Sequence, residues 1–197
     1  CFRDFPVAIG ITAGAREYLA ADICLKYMKE AISEPCNEEQ LEAAEKALRA
    51  KLNSLSLVQP EGTFRTARKE AAKLFDRKIL FTENPRKVES VVFTKEGYRI
   101  KIEAVINGEQ KTLYASYKAW KRNNLYPDDF TKKYQSVAYA MDAEALYLSV
   151  GLINTSYKEE YSLWVNSEDK VIATWRPNVT YLPEEPDMVW KFTGTFE

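Results

Sequence analysis

Between residues 88 and 120, apolar and polar residues alternate in three runs separated by two short turn sequences. Alternation with a period of two is typical of strands that bury one face. The second turn sequence, Asn107-Gly108, favours a two-residue type I′ loop, which requires a positive φ at both positions. This loop pairs Ile106 with Glu109, so the segment predicts an antiparallel meander whose register is fixed.

The register that follows from this loop places apolar residues opposite one another on one face of the sheet. The predicted pairs are Ile102 with Leu113, Ile100 with Ala115 and Tyr98 with Tyr117. A first turn at Glu96-Gly97 sets Phe93 against Ile100 and Val91 against Ile102. Both turns therefore select the same inner face.

Further alternating segments follow the meander, and turn residues separate them. The residues predicted to share the inner face there are Val137, Tyr139 and Met141; Leu146, Leu148 and Val150; Tyr161, Leu163 and Val165; Val171, Ala173 and Trp175; and Met188, Trp190, Phe192 and Phe196. From Val88 onward the pattern predicts about eight strands, and a short strand at residues 78–82 precedes them.

The first third of the chain has apolar residues at three- and four-residue spacings, which predict helices. The first helix covers about residues 13–33 and ends before Pro35. Asn37 and Gln40 form a capping-box sequence at the start of a second helix to about Asn53. A third helix, capped by Thr63, extends to about Asp76. The apolar residues that we expect the second helix to bury are Leu41, Ala44, Leu48 and Leu52.

These elements predict an α+β fold in which three N-terminal helices precede an antiparallel up-and-down β-meander of about eight strands, as a curved sheet or a barrel. Residues 1–77 form the helical part and residues 78–197 the β part. A chain of 197 residues is long enough to bury one sizeable core. We therefore expect both parts to fold as one cooperative domain.

Composition narrows the range of functions. Lys and Arg number 28 and Asp and Glu 29, so no overall positive charge favours nucleic acid. The chain has no histidine, which removes the commonest general base and metal ligand. No catalytic residues, metal site or cofactor are predicted, and an enzyme would depend on Tyr, Lys and carboxylates. The adjacent carboxylates Asp128-Asp129, Glu159-Glu160 and Glu184-Glu185 are interpreted as solvated charges.

The three cysteines bear on the location of the protein. A chain that begins at Cys1 is typical of a bacterial lipoprotein after signal-peptide cleavage, with a lipid on that cysteine anchoring it to a membrane. The alternatives are an arbitrary start of the sequence and an N-terminal catalytic nucleophile. In an exported protein Cys24 and Cys36 could form a disulfide, or Cys24 could be buried and Cys36 unpaired.

Aromatic residues, 13% of the chain, provide the remaining functional signal. The exit of the meander at Trp120 into a polar connection that contains Tyr126 is a candidate surface for a protein partner. Tyr117, Trp175 and Trp190 lie on the predicted inner face, either as core residues or around a ligand.

Three functions follow from these observations. The main hypothesis is an exported, lipid-anchored, non-enzymatic binding protein of the bacterial envelope, at the periplasmic or cell surface, that engages a protein partner. The first alternative is a carrier of a small apolar ligand inside the β-sheet, which a cavity above about 300 Å³ would favour. The second alternative is a histidine-independent enzyme.

Overall fold

The computed structural model describes residues 19–33, 37–55, 57–64, 69–126, 128, 133–153, 155, 157–178 and 189–197. The chain divides into two compact units, Cys1–Val58 and Gln59–Glu197. Residues 59–77 thus group with the strands, whereas the sequence pattern placed the boundary after residue 77. That the chain folds as one cooperative domain stays a prediction.

The first unit contains helices α1 (Leu19–Ser33) and α2 (Glu38–Ser54). The predicted capping box of α2 is present: the Gln40 amide donates to Asn37 Oδ1 at 2.9 Å, and the Asn37 amide donates to Gln40 Oε1 at 3.0 Å. None of the 17 residues of α2 is buried, so the predicted burial of its apolar stripe at Leu41, Ala44, Leu48 and Leu52 is wrong. The amphipathic pattern specifies the helix but does not supply a surface for it to cover.

The second unit begins with a short helix, α3 (Lys69–Ala72), in place of the long third helix predicted to Asp76. Residues 65–68 of that prediction lie outside the described residues. Thr63, the predicted cap, instead forms an antiparallel bridge with Met141, and Phe75 forms a parallel bridge with Phe93. Backbone pairing with the sheet therefore replaces helix on both sides of α3.

In the part of the chain that the structure describes, ten strands follow α3 and form one sheet. Their bounds are β1 Lys78–Phe81, β2 Val88–Glu96, β3 Arg99–Ile106, β4 Glu109–Tyr117, β5 Lys121–Asn124, β6 Tyr134–Met141, β7 Ala145–Leu152, β8 Lys158–Val165, β9 Val171–Pro177 and β10 Trp190–Phe196. Strand β1 pairs with both β2 and β10, and β4 pairs with β6 over two residues in parallel. Among the described residues, nine strands therefore close into a barrel, namely the short strand predicted at residues 78–82 and the eight predicted after it, and β5 lies beside β6.

The predicted register of the second hairpin is confirmed from Ile106 with Glu109 to Ile100 with Ala115. The inward position predicted for Tyr98 is wrong, because Tyr98 lies in the first turn and is 65% exposed. Asn107 and Gly108 have φ values of 52° and 77°, as the type I′ loop requires. The first turn is wrong by one residue, because Gly97 and Tyr98 form it and Phe93 pairs with Ile102. Gly97 takes the positive φ of 61° that the turn needs. A one-residue shift of the turn moves the pairing by two residues, so the inner face is unchanged.

The missed strand is β5, which lies in the polar segment interpreted as a loop. It pairs with β6 from Lys121 opposite Val137 to Asn124 opposite Tyr134. The side chain of Asn123 joins it to β4: the Tyr114 amide donates to Asn123 Oδ1 at 2.7 Å, and Asn123 Nδ2 donates to the Tyr114 carbonyl at 3.0 Å. An asparagine side chain thus supplies the hydrogen bonds that a backbone ladder would make here.

The barrel has two ends, which we name by what they contain. At the closed end, β6 turns into β7 and the chain enters β1; Leu74, Tyr139, Met141 and Leu146 are at most 1% exposed there. At the open end, β1 runs into β2, β7 into β8 and β9 into β10.

Candidate functional site

A cavity of about 260 Å³ extends from the barrel interior towards the open end. Its wall is mostly apolar and comes from all nine closing strands, the connection from β1 to β2 and the segment that follows β5. Residues of this wall include Val91, Ile102, Leu113, Val137, Leu148 and Leu163. The alternation of the strands explains the wall, because every second side chain points into a closed barrel.

Small inward-facing residues help to leave this part of the barrel empty. Ala104 on β3 and Ala173 on β9 line the cavity and are 5% and 1% exposed, so each points inward without filling the space in front of it. Nearer the closed end, the fully buried side chains of Ile100, Tyr139 and Met141 occupy the interior. These side chains therefore bound the cavity towards the closed end.

Three polar side chains form a hydrogen-bonded cluster in the cavity wall. Arg86, in the connection from β1 to β2, lies with its Nη2 3.0 Å from Glu159 Oε1. Its Nε donates to the Tyr161 hydroxyl at 3.3 Å, and that hydroxyl donates to Glu159 Oε2 at 2.7 Å. Each of the three groups thus contacts the other two, and both carboxylate oxygens are engaged.

The environment of the cluster shifts the pKa values of two of its members. Burial and the neighbouring Glu159 carboxylate raise the pKa of the Tyr161 phenol far above its ordinary value. Burial lowers the pKa of Arg86, but Tyr161 and Glu159 raise it by more, so the guanidinium stays charged. The cluster therefore holds one cation, one neutral phenol and the carboxylate that balances the cation.

Aromatic residues predicted from the sequence surround this cluster. The Arg86 guanidinium lies 5.4 Å from the ring centroid of Trp175, which stacks on Trp190 with centroids 6.1 Å apart. Tyr126 lines the cavity itself. The structure thus brings Tyr126, Trp175 and Trp190 to the open end; their role in binding stays a prediction.

The other two predicted residues lie elsewhere. Trp120 precedes β5 and Tyr126 follows it, so the strand separates the two aromatics that the sequence placed on one loop. Tyr117 lies at the closed end, where its hydroxyl donates to the Gly62 carbonyl at 3.0 Å. Its ring is 5.3 Å from Phe64 and 6.1 Å from Tyr139, which is a packing environment. The segment from Trp120 to Tyr126 thus contains a strand and is not a loop, and its role as a surface for a protein partner stays a prediction.

Sequence reasoning missed Arg86 and Glu159. It interpreted Glu159-Glu160 as solvated charges, but Glu159 is 7% exposed and points into the barrel. Glu160 faces the other way and binds Lys158 and Arg176 at 2.8 and 2.6 Å. The alternation of the strand could have predicted this, because adjacent residues of a strand face opposite sides and one of the two glutamates therefore had to point inward.

The structure describes only one of the three cysteines. Cys1 and Cys36 lie outside the described residues, and Cys24 is a half-buried free thiol on α1. The structure thus gives no support for the Cys24–Cys36 disulfide, and lipidation of Cys1 stays a prediction. Among the described residues, no cluster of Cys, Asp and Glu could hold a metal ion. No described helix is both long and apolar enough to cross a membrane.

Comparison with known proteins gives structural neighbours only. No protein-family model and no curated protein sequence matches the chain. A solved structure of "REP1-NXSQ fatty acid transporter" is 12% identical, with a TM-score of 0.48 over 64% of this chain and 98% of that one. Lipid binding protein 8 of Caenorhabditis elegans is 7% identical, with a TM-score of 0.48 over 64% and 96%. The fatty-acid-binding protein of Manduca sexta is 10% identical, with a TM-score of 0.45 over 62% and 98%. Similarity at this level does not identify a ligand.

Proposed function

We propose that the barrel binds a small apolar molecule in its interior and acts as a non-enzymatic carrier. The observation that supports this function is the cavity of about 260 Å³ with its apolar wall and its polar cluster at one end. An apolar wall with a few placed polar groups is the usual composition of a small-molecule site. The cavity is smaller than the volume of about 300 Å³ that we expect of a carrier from the sequence, but side chains do not fill the interior, and this supports the apolar-ligand carrier over the protein-partner module.

The cavity volume limits the size of the ligand. It is smaller than the roughly 300–1,000 Å³ of drug-sized sites, so a smaller ligand is expected. An engineered apolar cavity of about 150 Å³ takes up one benzene molecule, which scales to roughly ten non-hydrogen atoms in the space available here. The cavity therefore admits a chain of about ten carbons or a compact bicyclic molecule.

A cavity-filling substitution tests this function. Ala104→Trp places an indole inside the cavity, whereas Val105→Trp, at the next residue of β3, adds the same ring to the outer face. With the neutral bicyclic fluorophore 1-naphthylamine as the probe, which matches the size of the cavity, we expect Ala104→Trp to weaken binding by about tenfold or more and Val105→Trp to change it by less than about threefold. Thermal unfolding of both variants establishes that the barrel is intact.

Two results would contradict a carrier. The first is a wild-type protein that does not enhance the emission of the probe. The second is equal binding of the probe by the two variants, because the probe would then lie outside the barrel.

Export, the lipid on Cys1 and an envelope protein partner remain proposals from the sequence. A carrier of this kind is compatible with them, since a lipid anchor would hold it at a membrane where apolar molecules are concentrated. Mass spectrometry of the native protein tests the anchor: an unmodified amino group and thiol at Cys1 would contradict it.

A further inference from the structure

We propose that the Arg86–Glu159–Tyr161 cluster makes the cavity selective for ligands with an uncharged polar end, such as a fatty alcohol, over a carboxylate of the same chain length. This inference rests on the proposed carrier function and specifies its ligand class. It depends on the charge balance of the cavity wall.

Among the described residues that line the cavity, Arg86 is the only cation and Glu159 the only anion. The two charges lie 3.0 Å apart, and the Tyr161 hydroxyl contacts both. The cation that could attract a ligand carboxylate is therefore already neutralised from within the protein. A carboxylate approaching Arg86 would also meet the charge of Glu159, and two like charges in one partly buried site are unfavourable.

Two further groups of charged side chains lie next to the cavity wall. Lys111 lies 4.6 Å from the ring centroid of Tyr126, but its ammonium is 2.6 Å from Glu109. On β8 and β9, Lys158 and Arg176 share the single carboxylate of Glu160, which leaves one net positive charge on the face of the sheet that points away from the cavity. Within the cavity wall itself, Glu159 balances the charge of Arg86.

A neutral polar end has suitable partners in the wall. Gln135, which is 7% exposed, and Tyr126 both line the cavity. An amide side chain and a phenol each offer a donor and an acceptor, which matches a ligand hydroxyl that also donates and accepts. A hydroxyl can bind here without disturbing the Arg86–Glu159 pair.

Competition between two ligands of equal chain length tests the selectivity. Decan-1-ol and sodium decanoate compete with 1-naphthylamine for the full chain at pH 7.5, where a carboxylic acid is ionised. For the wild type we expect decan-1-ol to compete at a concentration about tenfold lower or more, because only the anion is repelled. Binding of decanoate as tight as that of decan-1-ol would overturn the proposal but leave the carrier function intact. Failure of the probe and of both competitors to bind would instead overturn the carrier function.

The variant Glu159→Gln identifies the cluster as the cause. It leaves the Arg86 cation uncompensated, so we expect the affinity for decanoate to rise about tenfold or more relative to decan-1-ol. The matched control is Arg86→Gln combined with Glu159→Gln, which removes both charges and should give no such rise. An unchanged preference in folded Glu159→Gln, or the same rise in the double variant, would overturn the role of the cluster. Should Glu159→Gln not fold, the wild-type competition still decides the selectivity.

Discussion

The two ends of the barrel are built from the same strands, but only one of them is filled. At the closed end, Leu74, Tyr139 and Met141 are at most 1% exposed. At the open end the interior contains a cavity of about 260 Å³ whose wall includes Arg86 and Glu159. An inward-facing residue therefore packs in the core near the closed end and lines the cavity near the open end.

The segment that leads into β1 explains the difference. Ala71 and Leu74 are fully buried. In the same segment, Lys73 Nζ lies 3.6 Å from Asp169 Oδ1, in the turn between β8 and β9. The backbones of Thr63 and Met141 donate to each other at 2.8 and 2.7 Å. Gly62 permits this approach, because a Cβ atom there would lie 2.4 Å from the Met141 carbonyl oxygen. Residues outside the barrel strands thus complete the core at the closed end.

The largest expected difference between the ends concerns the cost of removing one leucine side chain. Leu74→Ala leaves a void in the packed closed end, and we expect it to lower the free energy of unfolding by about 3–5 kcal/mol. Leu148→Ala enlarges a cavity that already exists, so fewer contacts are lost and about 2–3 kcal/mol is expected. Urea unfolding of both variants measures the difference. Equal losses would mean that the open end is packed as tightly as the closed end.

A pair of Tyr→Phe substitutions compares the polar groups of the two ends. The Tyr161 hydroxyl bonds both Glu159 and Arg86, so Tyr161→Phe should lower the free energy of unfolding by about 1.5–3 kcal/mol. The buried Tyr139 hydroxyl has no hydrogen-bond partner in the structure, and burial raises its pKa to about 12. Tyr139→Phe removes that unsatisfied group and should raise stability by about 1 kcal/mol. Chemical unfolding at pH 7 measures both changes, and a loss of stability in Tyr139→Phe would show that its hydroxyl is satisfied.

Local sequence chemistry was sufficient for most of the sheet. The positive φ of Asn107 and Gly108 determines the second hairpin, and alternation then determines which residues are buried on β3 and β4. It was insufficient for β5, because Lys121–Asn124 has no alternation and is held by pairing with β6 and by the Asn123 side chain. Strands whose partners are distant and whose residues are polar carry no periodic signal.

The site was harder to predict than the fold for the same reason. Arg86 and Tyr161 are 75 positions apart in sequence and become neighbours only because β10 pairs with both β1 and β9, which places β8 three strands from β1. Their contact depends on this strand order, which alternation alone does not specify. The aromatics Trp175 and Trp190 were found because they alternate in phase with apolar neighbours, and they face each other across β9 and β10.

The smallest expected difference between the ends is in acid stability. At the closed end, burial raises the pKa of Asp142, but hydrogen bonds from Tyr147 and from the amides of Glu144 and Ala145 lower it by more. At the open end, burial raises the pKa of Glu160, but Lys158 and Arg176 lower it by more. A lowered pKa means that each carboxylate stabilises the fold at neutral pH and loses this effect as the pH falls below about 4.

Salt separates these two contributions. The ion pairs of Glu160 are exposed and should be screened at about 1 M NaCl, whereas the short hydrogen bonds to Asp142 should persist. Between about pH 5 and 2, we therefore expect Asp142→Asn to lose less stability than the wild type at both low and high salt. We expect Glu160→Gln to lose less than the wild type only at low salt. Each difference should be below about 1 kcal/mol. Thermal unfolding across this pH range measures the effect. An Asp142→Asn effect that vanishes in high salt would mean that charge, and not the hydrogen-bonded turn between β6 and β7, makes the closed end acid-sensitive.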